Sequence, residues 1–304
     1  MPAKIIRGLI SPILTPFNDD FSIANDLYLA HSKNLLEQGT AGLSPFGTTG
    51  EALSVGIDER IAAIQELIDG GIDPAILVPG TGLSNVADTA RLSRACLDMG
   101  CSAVMTLPPF YFKAVTEDGI YRYFEQLIAA IGEDARLVLY HIPPIAIVGI
   151  PPSLAARLCA SFPDQIAGIK DSSNDWDNTR KLFDIDGLTV YPGSELPLIE
   201  ALELGGPGCI SATANFNGKD ICNVMNLYWQ GDIDGAKRLQ KKVKRLRELL
   251  QDKNPIPAQK RLLAIITGDD RWANVRPPLT AMTEDAGQEL ATVLVRDFDY
   301  DLGN

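Results

Sequence analysis

The 304-residue sequence has only two histidines, His31 and His141. A zinc site built on three histidines is therefore excluded, and no HExxH pair occurs. GxxxxGK[ST], GxSxG and GxGxxG are absent too, which removes the main support for a phosphate-cradling loop, a nucleophile elbow or a dinucleotide fold. Positive charge is scarce: 27 Lys and Arg stand against 39 Asp and Glu, a net charge of −12. That balance argues against nucleic acid or an anionic membrane as partner, but allows a small anionic substrate in one local positive pocket. No apolar run approaches the ~18 residues of a membrane helix. The first 17 residues are broken by Pro12 and Pro16, unlike a secretory leader. The five cysteines, Cys96, Cys101, Cys159, Cys209 and Cys222, are an odd set without CxxC. They read as buried free thiols in a reducing compartment, so a cytoplasmic protein is expected.

What is present is ordinary globular composition, 46% hydrophobic and 22% charged. Length alone suggests two domains, but α/β barrels often exceed that size as one. Eight short apolar runs recur: 9–17, 42–47, 75–81, 103–109, 136–143, 166–172, 188–194 and 209–215. Each reads as a strand buried on both faces. Between them lie helical patterns, over 25–38, 57–69, 84–99, 117–131, 153–161 and 219–228, with Asn85, Asp118 and Ser153 near helix starts. The repeat predicts a (β/α)8 TIM barrel, an α/β fold, in preference to an open doubly wound sheet. The prolines at 16, 45, 79, 108, 143 and 192 fall at or near strand ends, as a closed sheet requires. The barrel is expected over 1–230. A C-terminal helical segment, 231–304, should pack on it as part of one structural unit, with helices over 235–251, 257–267 and 284–296 and a frayed acidic tail from Asp297. The basic run from Lys237 to Arg247 is interleaved with Leu239, Val243, Leu246, Leu249 and Leu250, and reads as the solvated face of an amphipathic helix.

In a barrel, reactive groups sit where strands end. Lys170 closes the apolar run Ile166–Ile169. Side chains alternate along a strand, so Gly168, Lys170 and Ser172 share one face, and Asp171 points the other way. Glycine at 168 is expected to leave room beside the amine. An amine is almost wholly protonated at pH 7, and burial disfavours the charged form, freeing a lone pair for attack on a carbonyl. The alternative is a lysine that snorkels out or pairs with Asp171. Tyr140 shares a face with Val138 and could relay protons, or pack with its hydroxyl wet. Tyr111 sits in an aromatic cluster that reads more readily as core. Gly47-Thr48-Thr49-Gly50-Glu51 brackets two hydroxyls with glycines, and such a turn can aim backbone N–H groups and hydroxyls at an anion, or simply bond itself. Lysine, tyrosine and an anion cradle without metal ligands suit imine formation on a 2-oxo acid.

These motifs, with Pro12–Phe17, Pro108-Pro109-Phe110-Tyr111, Tyr140-His141-Ile142-Pro143, Gly168-Ile169-Lys170, Gly205–Gly208 and Ile210–Asn215, resemble the dihydrodipicolinate synthase and N-acetylneuraminate lyase superfamily, the pyruvate-dependent class I aldolases. The resemblance covers nearly the whole barrel. It implies that Lys170 forms a Schiff base with pyruvate or another 2-oxo acid and that Tyr140 moves protons. It implies that Thr48 and Thr49 bind the carboxylate, with Thr48 in the proton relay, and that Gly193 and Ile210 line the pocket with backbone. Tyr111 matches a tyrosine that reaches a neighbouring subunit's site. An aldehyde is the second substrate, no cofactor or metal is required, and a homotetramer built as a dimer of dimers is expected.

Four departures stand out, one of them Phe110 where synthases often have tyrosine. Pro143 is followed by Pro144 and Ile145, where synthases carry an arginine two residues on for the aldehyde's carboxylate. His141 replaces the usual asparagine. Ser194-Glu195 keeps one of the two acids that sialate lyases use on sugar hydroxyls. The apolar stretch Ile145–Val148 suits a smaller or less charged aldehyde. The other readings are a 2-keto-3-deoxy sugar-acid dehydratase, a true 4-hydroxy-tetrahydrodipicolinate synthase lacking the arginine, and a non-catalytic keto-acid-binding regulator.

Overall fold

The computed structural model describes residues 6–300. Strands and helices alternate: β1 (Gly8–Ser11), α1 (Asn25–Glu37), β2 (Gly42–Leu43), α2 (Ile57–Asp69), α3 (Val86–Asp98), β3 (Val104–Thr106), α4 (Glu117–Ile131), β4 (Leu137–His141), α5 (Pro143–Ala146), α6 (Pro152–Ser161), β5 (Ile166–Asp171), α7 (Trp176–Phe183), β6 (Val190–Pro192), α8 (Leu198–Glu203), β7 (Gly208–Ile210) and α9 (Ala214–Trp229). Three further helices follow, α10 (Ile233–Gln251), α11 (Pro255–Thr267) and α12 (Glu284–Phe298). The strands are shorter than the apolar runs, because each run continues past the sheet into the loop at its C-terminal end.

Every ladder between these strands is parallel, in the orders β2-β1-β7 and β3-β4-β5-β6. Residues 77–81 bridge the two groups. Leu77 pairs with Leu43 on one side and Gly80 with Met105 on the other. This stave is not a regular strand because Pro79 has no N–H to give. Its carbonyl still accepts from Met105 N at 2.7 Å, and Val78 N donates to Leu43 O at 2.8 Å. β6 lies beside β7 at the other seam. Eight staves thus close a barrel, with helices packed outside, as the eight apolar runs imply.

Two clusters fill the barrel interior. One contains Val78, Met105, Val138 and Tyr140; the other contains Ile10, Tyr191 and Ile210. A larger cluster joins the outer strand faces to helices α1–α4, α6 and α7. Helix starts follow local chemistry. Asn85 caps α3 by accepting from Asp88 N at 2.8 Å. Thr116, not Asp118, caps α4. α6 begins on Pro151 and Pro152 without a side-chain cap, and Ser153 lies inside its first turn, bonded to Glu117. The helical patterns did not include the short α7 and α8.

After α9, the chain adds helices rather than strands. α10 buries Ala236, Val243, Leu246 and Leu250 and leaves most of its basic residues outward, where Lys242 pairs with Asp220 and Lys244 with Glu200, while Arg247 turns in toward Glu195. Phe216 of α9 shares a core with Leu262 of α11 and Leu290 and Leu294 of α12. Pro255 and Pro257 sit in the first turn of α11, where the missing N–H costs nothing. The acidic tail is not frayed where it is described. Asp297 and Phe298 belong to α12, and Tyr300 stacks on Phe216 at 4.4 Å between centroids. Residues 301–304 of that tail and residues 1–5 of the N-terminal run lie outside the described residues.

Candidate active site

Strand alternation decides the first question about Lys170. On β5, Lys170 faces inward, between Tyr140 of β4 and Tyr191 of β6 in register. Its Nζ stands 4.4 Å from the centroid of the Tyr140 ring. The residue is 4% exposed, and among the described residues its amine has neither an ion pair nor a hydrogen bond. Asp171 points outward and is saturated. It accepts from Ser173 N, Asn178 Nδ2 and Thr179 Oγ1 at 2.8, 3.0 and 2.8 Å. An internal Lys170–Asp171 pair does not form.

Gly168 serves a different purpose from the one expected. A Cβ there would meet Thr189 O at 2.6 Å, so the space is already occupied by the β6 approach rather than left beside the amine. Gly193 is a second close approach. A Cβ would lie 1.9 Å from Ser172 Oγ, and its N–H donates to Asp171 O at 2.6 Å. These two glycines let the end of β5 and the chain at β6 close tightly around Lys170.

The Tyr140 hydroxyl reaches Thr48 Oγ1 at 3.3 Å. Tyr140 is buried, and Thr48 sits in the turn that follows β2. This turn is tight. Gly50 N and Ala52 N both donate to Gly47 O, Glu51 N donates to Thr48 O, and Phe46 and Glu51 take positive φ of 56° and 55°. The N–H groups of Thr48 and Thr49 and the Thr49 hydroxyl have no hydrogen-bond partner among the described residues. The turn therefore presents donors rather than consuming them all internally.

Ile210 is fully buried in β7 against Ile10 and Tyr191, below the mouth. Tyr111 stands apart from Lys170, Tyr140 and Thr48. It is 76% exposed, edge-on to Phe112 at 5.5 Å, on the loop between β3 and α4. It is not the core residue that its aromatic neighbours suggest.

Thr48 and Tyr140 open onto a cavity of about 400 Å3, bounded by the loops after β2, β3 and β4 and by residues from the C-terminal helical segment. Among the described residues, no group of three or more His, Cys, Asp or Glu is placed to hold a metal ion, and no helix is long and apolar enough to cross a membrane.

Several supporting groups were not evident in the sequence. Glu51 ends the threonine turn and forms a fully buried pair with Lys260 of α11 at 2.6 Å, while also accepting from Arg276 N at 3.0 Å. Burial lowers the Lys260 ammonium from its ordinary value, and the Glu51 carboxylate opposes that shift. One signal was available: Lys260 falls on the buried stripe of α11 with Leu263 and Ala264. Asn215 accepts from Leu14 N and from His31 Nε2, both at 3.0 Å, and donates to Pro12 O. It pins the end of β1 to the start of α9. His141 Nδ1 accepts from Ile150 N at 2.7 Å, which holds the loop after α5; burial lowers its pKa, and Asp171 partly offsets this. Glu195 is wholly buried on Ser211 and Thr213, with Arg247 3.9 Å away.

An eight-stave parallel barrel with a lone buried lysine at the C-terminal end of a strand, a tyrosine against it and a hydroxyl turn opposite defines a carbonyl-handling barrel enzyme. The chain belongs to the dihydrodipicolinate synthetase family, whose profile matches residues 5–296. It is a lyase of that family, an enzyme of the pyruvate-dependent class I aldolase type. An uncharacterized DapA-like lyase from Chloroflexus aurantiacus is 35% identical over 282 residues, 92% of this chain and 93% of that relative. Among solved structures, a dihydrodipicolinate synthase from Agrobacterium tumefaciens is 33% identical, with a TM-score of 0.84 over 94% of this chain and 98% of its own. YagE, a prophage protein of the dihydrodipicolinic acid synthase family from E. coli K12 solved with pyruvate, is 26% identical, with a TM-score of 0.87 over 96% and 98%.

Proposed function

We propose that the enzyme joins pyruvate to an aldehyde, or splits the adduct, through an imine on Lys170. The observation that carries this reading is the amine itself. It is buried without a carboxylate partner and lies against Tyr140, whose hydroxyl meets Thr48. A buried lysine kept only for stability would be expected to have a counter-charge.

The pyruvate carboxylate is held by the free amides and hydroxyls of Thr48 and Thr49, with Gly193 and Ile210 shaping the pocket from the backbone side. Lys170 attacks the keto carbon; the oxygen leaves as water after protonation, and an iminium remains. The iminium draws the electron pair of a methyl C–H bond as the proton departs, giving an enamine. Tyr140, relayed by Thr48, carries protons to and from the departing oxygen and the aldehyde oxygen. No metal or cofactor enters these steps. A pyruvate complex of YagE supports the choice of keto acid.

α5 carries Pro143, Pro144, Ile145 and Ala146 and so lacks a cation for an aldehyde carboxylate, which separates this site from the synthases it resembles. The exposed Tyr111 and Phe112 support a homotetramer, a dimer of dimers in which Tyr111 reaches a neighbouring subunit's site. Segments 1–230 and 231–304 act as one structural unit, in the cytoplasm.

The test is deuterium exchange into the pyruvate methyl group, followed by NMR without any aldehyde. The wild-type protein should wash out the methyl protons, and Lys170→Ala should not. Exchange that survives in Lys170→Ala would refute the reading.

A further inference from the structure

The cavity of about 400 Å3 in front of Tyr140 and Thr48 is larger than pyruvate, a three-carbon acid, would need. The remaining wall includes Leu53, Phe110, Ile142, Ile145, Ala146 and Leu279. Leu53 and Ile145 are 66% and 62% exposed, so apolar surface is left facing water at the rim. An occupant that covered it would gain by taking that apolar surface out of water.

The polar groups on the same wall are already engaged. Glu51 is paired with Lys260. Lys113 Nζ donates to Phe110 O and, at 3.2 Å, to Ala146 O, so it stitches the loop before α4 to α5. Ser54 Oγ donates to Pro277 O at 3.2 Å. Thr48 and Tyr140 face each other and belong to the reaction. A row of hydroxyls entering here would lose water against Leu and Ile side chains and find little in return, and a carboxylate would find only the Lys113 ammonium, which already donates to two backbone carbonyls.

We propose that the aldehyde partner is apolar, an aryl or branched-alkyl aldehyde whose body rests against Phe110, Ile142 and Ile145. This narrows the pyruvate reading and rests on it. The enamine carbon forms the new bond to the aldehyde carbon. The carbonyl electron pair moves to oxygen, which takes a proton from Tyr140. Water then cleaves the iminium, restoring the Lys170 amine and releasing a 4-hydroxy-2-oxo acid. The reverse reaction splits that acid by the same steps.

The experiment compares kcat/KM for condensation of pyruvate with benzaldehyde, succinic semialdehyde and glyceraldehyde. Benzaldehyde should lead both others by about 10-fold or more, the discrimination a hydrophobic pocket supplies. Ile145→Arg should cut the benzaldehyde value by about 10-fold and raise that of succinic semialdehyde. Preference for either polar aldehyde in the wild-type enzyme would overturn the proposal; preference for the semialdehyde would assign Lys113 to its carboxylate. Methyl exchange in pyruvate, measured on the same preparation, separates the two levels. Exchange without the aryl preference defeats the aldehyde assignment alone, whereas no exchange defeats the pyruvate reading and the assignment with it.

Discussion

Tyr140 and Lys170 are register partners on adjacent parallel strands, and Lys170 Nζ lies 4.4 Å from the centroid of the Tyr140 ring. The ring therefore holds the amine in place, while the hydroxyl at its edge reaches Thr48. One residue both positions the nucleophile and carries the proton path.

Tyr140→Phe separates those two tasks. The ring stays and the hydroxyl goes. Imine formation with pyruvate, followed by stopped-flow, should slow by about 10²–10⁴-fold, the usual contribution of a positioned acid–base group. The unfolding free energy should change by no more than about 1 kcal/mol. An unchanged rate would reduce Tyr140 to packing.

Gly168→Ala probes the strand that carries the amine. The added methyl would meet Thr189 O at 2.6 Å and Thr189 Cβ at 3.2 Å, and a backbone carbonyl in a barrel wall has little room to yield. The expected cost is ~1–3 kcal/mol in urea unfolding. Imine formation should slow as well, because Lys170 is two residues along the same strand face. Wild-type stability would contradict the geometry.

The Glu51–Lys260 pair ties the threonine turn to α11 with both side chains fully buried. Lys260→Met leaves an uncompensated buried carboxylate, which should cost ~3–5 kcal/mol. The double variant Glu51→Gln with Lys260→Met removes both charges and should be less damaged than Lys260→Met alone. Chemical denaturation of the wild type, the two single variants Glu51→Gln and Lys260→Met, and the double variant decides this. Additive losses would mean that the two charges do not interact.

His31 gives the fold a specific acid sensitivity. Burial lowers its pKa from 6.5 to about 4, against the opposing bond to Asn215. The unfolded chain then takes up this proton at higher pH than the folded one. The contribution is fully present above about 6.5 and is lost as pH falls through about 4. The gap corresponds to about 3 kcal/mol. Unfolding free energy measured between these pH values should fall less steeply in His31→Gln than in wild type. Parallel curves would contradict a neutral buried imidazole.

The sequence carried the barrel in its eight apolar runs, because a strand buried on both faces leaves an unbroken apolar signature. It also carried the inward direction of Lys170, since alternation on β5 forces Asp171 to the other face. What it could not carry was contact between distant segments. Lys260 and Glu51 are 209 residues apart, and only the barrel topology joins them. Gly168 was misread because the atom that needs the space, Thr189 O, lies just before the next strand, β6. The regular strand expected at 75–81 gives way to isolated bridges, since a proline interrupts the ladder without disturbing the apolar pattern. Tyr111 resembled core in sequence, because an aromatic cluster looks the same whether it is buried or exposed.

The most direct test of the account is borohydride reduction of the enzyme in the presence of pyruvate, followed by peptide mass spectrometry. One reduced pyruvyl adduct is expected, on the peptide containing Lys170, and none in Lys170→Ala. An adduct at another lysine, or none with pyruvate under conditions that leave the protein folded, would contradict it.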